Sequence, residues 1–87
     1  MFEVTISQKA RKSSKKLPDH LKHRIIELLL VLRENPVPAE QYDLKKLGGY
    51  KDTFRARIGD ARIIYEIDWN QQAIKILVIK LRESAYP

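Results

Sequence analysis

The sequence predicts an α+β domain: a twisted, mainly antiparallel β-sheet with an N-terminal helical hairpin packed on one face, in the order β-α-α-β-β-β. Three observations predict it. Apolar residues alternate with polar ones at Phe2, Val4 and Ile6, the period of a strand buried on one side. Leu21, Ile25, Leu28, Leu29 and Leu32 fall on one face at helical spacing. FRARIGDARIIYEI, residues 54–67, alternates on both sides of Gly59-Asp60, which is a short-hairpin signal.

The elements follow in order. After the first strand, residues 8–16 are polar and lysine-rich, and read as a short, weakly amphipathic helix. Pro18 suits the first turn of a second helix, where its missing N–H costs nothing. Ile26, Leu30 and Val31 widen the apolar face of that helix, so substantial burial is expected. Asn35-Pro36 ends it. ENPVPAEQYDLKKLGGY reads as a Pro- and Gly-rich connection with one turn of helix around Tyr42. Three strands are expected over 53–58, 61–68 and 73–81. In AIKILVIKL, Ile74, Ile76 and Val78 point one way, and Leu77, Ile79 and Leu81 the other, so this strand is expected inside the sheet with cover on both faces.

With Gly59 and Asp60 as the loop, Ile58 sits opposite Ala61, Arg57 opposite Arg62 and Arg55 opposite Ile64. Side chains alternate faces along a strand. One face collects Phe54, Ala56, Ile58, Ala61, Ile63, Tyr65 and Ile67; the other collects Arg55, Arg57, Arg62, Ile64 and Glu66. Like charges directly opposite destabilise a sheet. An anion held between the guanidinium groups would compensate; arginines splayed on a solvated face would also satisfy the pattern. Lys80 and Arg82 share parity with Val78 and join the arginine face only if the pairing register allows it.

The 87 residues suit one domain, 1–87, with a formal net charge of +6. There is no cysteine, which rules out disulfides and thiolate metal sites. The longest apolar run, 25–32, is broken by Glu27 and is too short to span a membrane. The N-terminus lacks a signal-peptide layout, so a cytoplasmic protein is expected. Residues 1–24 hold seven Lys/Arg against Glu3 and Asp19; residues 45–62 hold six against Asp52 and Asp60; residues 25–44 hold Arg33 against four carboxylates. Two basic zones flanking an acidic one suggest a face for a polyanion, such as nucleic acid, a ribosome or an acidic protein.

LPDHLKHRIIELLLVLRENP, KKLGG, FRARIGDARIIYEI and LRESAY, in that order, resemble the RelE/ParE superfamily of bacterial and archaeal toxins over essentially the whole chain. The resemblance implies one of two activities. RelE-like members are ribosome-dependent endoribonucleases that cut mRNA in the A site and are neutralised by a cognate antitoxin. ParE-like members share the fold, lack the nuclease residues and inhibit DNA gyrase. The nuclease branch carries two basic residues before the turn, matched by Arg55 and Arg57. It carries an arginine after the turn, matched by Arg62, and near the C-terminus an arginine followed by a tyrosine, matched by Arg82 and Tyr86. The nuclease reading is therefore favoured over the gyrase inhibitor and over a non-catalytic RNA- or ribosome-binding module.

RNA cleavage by its own 2′-hydroxyl needs a base, stabilisation of a phosphorane dianion and protonation of the leaving 5′-oxygen. The arginine fork binds two phosphate oxygens at once, and a cluster aimed at developing charge is electrostatic preorganisation. Arg62 and Arg82 are assigned that role, and Arg55 and Arg57 the flanking phosphates or ribosomal RNA. Tyr86 can stack on a base or carry a proton. Several relatives have lysines in place of Arg55 and Arg57, and many have His-Arg in place of Leu81-Arg82. Arginine stays protonated in proteins, so the base falls to Tyr86, Lys51, Lys80 or the ribosome. Lys45, Lys46, Lys51, Lys80, Lys9 and Lys12 are candidate RNA or ribosome contacts of the sequence-independent kind.

His20 and His23, three apart on a helix without a supporting carboxylate cluster, read as solvated rather than as a metal site; no metal or cofactor is expected. Trp69 reads as a packing lid, Gly48-Gly49 as a turn and Tyr65 as core. The expected partners are a RelB-like antitoxin that folds as it binds, the ribosome and mRNA.

Overall fold

The structure, a computed structural model, describes residues 1–48 and 51–82. Its elements are β1 (Glu3–Ile6), α1 (Gln8–Ser14), α2 (Asp19–Glu34), β2 (Asp43–Leu47), β3 (Asp52–Ile58), β4 (Ala61–Asp68) and β5 (Ala73–Leu81). The strands form one sheet in the order β1-β5-β4-β3-β2. Only β1 runs parallel to its neighbour; the other three pairings are antiparallel. The class is the α+β fold read from the sequence, with one more strand than expected.

That strand is β2. DLKKL offers only Leu44 and Leu47 as apolar residues, yet it pairs with β3 from Asp43↔Arg57 to Leu47↔Thr53. It is a sheet edge, where charged residues are tolerated because one side meets water. Ahead of it, Tyr42 N–H donates to Pro38 O at 3.1 Å, closing the single helical turn expected there.

Ser7 caps α1. Its Oγ accepts from Ala10 N–H at 3.0 Å and donates to Leu77 O at 2.9 Å, fixing the helix start to β5. The helix ends at Ser14, shorter than the sequence suggested. Pro18 stands just before α2 rather than in its first turn, and its carbonyl accepts from Leu21 and Lys22 N–H. Leu21, Ile25, Leu28 and Leu32 are buried, while Ile26 and Leu30 are exposed at 54% and 56%. The buried stripe is therefore narrower than expected, one contact line against the sheet.

The core lies between the helices and one sheet face. Phe54, Ala56, Ile58, Ala61, Ile63, Tyr65 and Ile67 are all buried there, as the hairpin register required. Each fully buried isoleucine contributes about 1.5–3 kcal/mol. Tyr65 stacks on Phe54 at 5.8 Å and donates its hydroxyl to Pro36 O at 2.9 Å, pinning the chain after α2 to the core.

β5 departs from simple alternation. A register shift falls between Ile64 and Tyr65, so Ile63↔Ile79 and Ile64↔Val78 are followed by Tyr65↔Ile76. The extra β5 residue is Leu77. This bulge puts Ile74, Ile76 and Ile79 all in the core and turns Val78 to the other face, correcting the parity read from the sequence. It also removes the need for full cover on both sides. Among the described residues, no helix is long and apolar enough to cross a membrane.

Candidate active site: an arginine groove on the face opposite the helices

The antiparallel registers line up side chains across four strands. One row runs Asp43, Arg57, Arg62, Lys80 from β2 to β5. The next runs Lys45, Arg55, Ile64, Val78, and a third Leu47, Thr53, Glu66, Lys75. All three rows lie on the face away from the helices. Arg55, Arg57 and Arg62 share a face as the sequence indicated, and the bulge brings Lys80 onto it.

These rows frame a groove of about 550 Å³ lined by Leu47, Arg55, Arg62, Ile64, Lys80, Leu81 and Arg82. Ile64 and Leu47 give it apolar surface; four cations converge on it. Arg82 is the first residue beyond β5. Its backbone N–H donates to Asp60 O at 2.8 Å, and its Nε lies 2.9 Å from Asp60 Oδ1. The β3–β4 turn thus holds the C-terminal arginine beside Arg62.

Arg62 donates from Nη1 to Gly59 O at 3.3 Å and Ala61 O at 3.2 Å. Its pKa is pushed down by desolvation first, then by Arg57, Arg55 and Arg82, with Asp60 opposing. A guanidinium stays charged regardless. After desolvation, the rest of that downward push comes from the neighbouring guanidinium charges, a setting that suits an anion.

Arg57 and Arg55 have a carboxylate already. Asp43 Oδ2 is 3.5 Å from Arg57 Nε and its Oδ1 is 3.8 Å from Arg55 Nη2. Arg57 stands at the groove's margin rather than in its lining. Arg55 is deeper, its side chain 24% exposed, and its buried Nε has no partner among the described residues.

The candidate lysines divide. Lys80 lines the groove, and Lys45 stands beside Arg55 on the same face. Lys51 pairs with Glu66 at 3.8 Å, in the third row. Lys46 pairs across from Phe54, on the helix side, and reaches Asp52 at 3.1 Å. Lys9 and Lys12 are exposed on α1, in the helical layer. The structure therefore does not bring Lys46, Lys9 or Lys12 to the arginine face. Tyr86 and Gly49 lie outside the described residues. His20 and His23 are exposed on α2. Trp69 stacks edge-on against Phe2 at 5.6 Å and donates its indole N–H to Asp52, consistent with a lid over that corner.

Sequence reasoning missed two residues that organise the cluster, Asp43 and Asp60. Asp60 had been read only as a turn former. Asp43 was hidden in a segment read as a connection; the signal was its spacing of two from Lys45, which assigns both to one face once DLKKL is a strand.

Chemically, the charge and donors that line the groove suit an anion such as a phosphate. Fixed guanidinium donors surround a pocket with apolar surface, where charge-assisted hydrogen bonds are stronger than in water. Together the fold and groove define a small, basic α+β domain with a cationic groove on its open sheet face.

The chain belongs to the ParE toxin family of type II toxin-antitoxin systems, whose family model matches residues 4–86. It is 38% identical over 85 residues to "Putative toxin RelE1" of Methanocaldococcus jannaschii, covering 98% of this chain and 94% of that protein. Among solved structures it is similar to the archaeal RelE-RelB complex of Pyrococcus horikoshii OT3. There the TM-score is 0.88 at 38% identity, over 97% of this chain and 98% of the other. It is also similar to the toxin-antitoxin complex RelBE2 of Mycobacterium tuberculosis, with a TM-score of 0.75 at 28% identity, over 93% and 98% of the two chains. It is a type II toxin of the RelE-like kind.

Proposed function

We propose that this toxin is a ribosome-dependent, metal-independent endoribonuclease that cuts mRNA in the A site and so stops translation. The observation that carries this reading is the convergence of Arg55, Arg62, Lys80 and Arg82 on one groove. Attack of the 2′-hydroxyl on the adjacent phosphorus generates a phosphorane dianion, and Arg62 and Arg82 are assigned to its oxygens. Arg55 and Arg57 hold the neighbouring phosphate or ribosomal RNA, with Lys45 and Lys51 extending the same basic face. Lys80, Lys51, Tyr86 and the ribosome are the candidate sources of the base. The products would carry a 2′,3′-cyclic phosphate and a 5′-hydroxyl.

The partner that silences the toxin is assigned as a RelB-like antitoxin, since the similar archaeal and mycobacterial structures are described as complexes with one. A net charge of +6 suits an acidic or amphipathic wrapping segment. The cytoplasm, where ribosomes are, is the expected compartment.

The ParE description of the matching family model favours a second reading, DNA gyrase inhibition without nuclease chemistry. One experiment separates the two. Purified toxin is added to ribosomes programmed with a defined A-site codon, and primer extension maps any cut. A cut inside that codon, slowed by Arg62→Ala and by Arg82→Ala, supports the nuclease. Intact mRNA together with inhibited gyrase supercoiling overturns it in favour of the second reading.

A further inference from the structure

The geometry points to Asp60 as a positioning residue for Arg82, a role that rests on the nuclease reading. Two bonds join them, backbone to backbone at 2.8 Å and carboxylate to guanidinium at 2.9 Å. Asp60 belongs to the turn between β3 and β4, while Arg82 follows the last ladder pair, Ala61↔Leu81. The turn therefore captures the chain where β5 ends.

The charge arithmetic says what this carboxylate is for. Both side chains are about half exposed, 50% and 51%. An ion pair in such a setting adds little to stability. Yet it puts a negative charge at the rim of a groove suited to phosphate, where it opposes anion binding. Its benefit is geometric. An arginine side chain has many rotamers to lose when it is fixed in place. Asp60 takes up Nε at 2.9 Å, so part of that entropy is spent before substrate arrives. The two terminal nitrogens of the same guanidinium carry the donors that would meet the reacting phosphate. Holding a donor in place before the reaction is what lowers a barrier.

A positioning role and a turn-forming role give different kinetics. Asp60→Asn keeps a turn-compatible residue with an uncharged acceptor; Asp60→Ser keeps a turn-compatible residue too short to reach. Both are made in wild-type and Arg82→Ala backgrounds, checked for an unchanged melting temperature, and assayed on programmed ribosomes. The expected result is a graded loss of kcat, several-fold for Asn and about tenfold or more for Ser. KM stays level or falls, because a repelling charge has gone. In the Arg82→Ala background neither change lowers kcat further. The proposal is overturned if Asp60→Ser cuts at the wild-type rate, or if it lowers kcat equally with and without Arg82. A wild type that cuts nothing would instead remove the nuclease reading itself, and this role with it.

Discussion

Arg57 and Arg62 face one another across the β3–β4 ladder, and the nearby carboxylate of Asp43 reaches Arg57 and Arg55 but not Arg62. Arg62 lacks that carboxylate; desolvation first, then Arg57, Arg55 and Arg82, disfavour its proton, with Asp60 opposing. Arg62→Gln should therefore raise the melting temperature by about 1–4 °C while lowering activity. Raising the salt from 0.1 to 1 M should narrow the gap, because screening relieves the wild type more. Calorimetry at the two salt concentrations checks both points; a variant that melts lower than wild type contradicts the argument.

On the nuclease reading, Asp43 would compete with RNA for Arg55 and Arg57. Asp43→Asn should tighten binding to single-stranded RNA at low salt and steepen log K against log[salt] by about one unit. Its effect on stability should stay within about 1 kcal/mol, as for other exposed pairs. A filter-binding salt titration alongside urea unfolding measures both.

The hairpin was legible because its information is local. Gly59-Asp60 fixes the register, and Arg57 opposite Arg62 follows by counting. The core list on β3 and β4 followed the same way. What escaped notice depends on partners distant in sequence. DLKKL has too few apolar residues to announce a strand and becomes one by lying against β3. The bulge at Leu77 leaves no mark in the alternation of AIKILVIKL, and it decides that Lys80 and Val78 share the arginine face. Ile26 and Leu30 continue the helical stripe of α2 but are not covered by the sheet, so counting apolar positions overstated the buried width. The basic residues were found as types; their division between groove, edge and helical layer needed the sheet order.

Gly59 has a φ of 57°, and a Cβ built there would stand 3.2 Å from Leu21 Cδ2 and 3.3 Å from Arg24 Nη1. The left-handed backbone alone costs a non-glycine residue about 1–2 kcal/mol. Gly59→Ala should lose more than that, because α2 crowds the same point. Gly59→Asn tolerates the backbone better but still meets Leu21, so it should fall between wild type and alanine. Urea unfolding of the three proteins gives the order.

Tyr65 couples stability to alkaline pH. Burial pushes its phenol pKa up. Below about pH 10 folded and unfolded chains both keep the proton, and the contribution is constant. Above that value the unfolded chain releases the proton and the folded one retains it. Stability then falls by up to about 1.4 kcal/mol per pH unit until the folded group also ionises. Tyr65→Phe should remove this part of the alkaline slope. At neutral pH it should cost about 1–3 kcal/mol, by leaving the Pro36 carbonyl without its donor. Denaturant titrations from pH 7 to 11.5 on both proteins measure the difference.

The parallel pairing of β1 with β5, Glu3↔Ala73 to Ile6↔Ile76, joins the first and last strands described. β5 also carries Lys80 and leads into Arg82, two of the groove's four cations. A growing chain whose final strand is still inside the exit tunnel has neither a closed sheet nor a finished groove. Closure of the sheet and completion of the groove are thus one event, set by the arrival of β5.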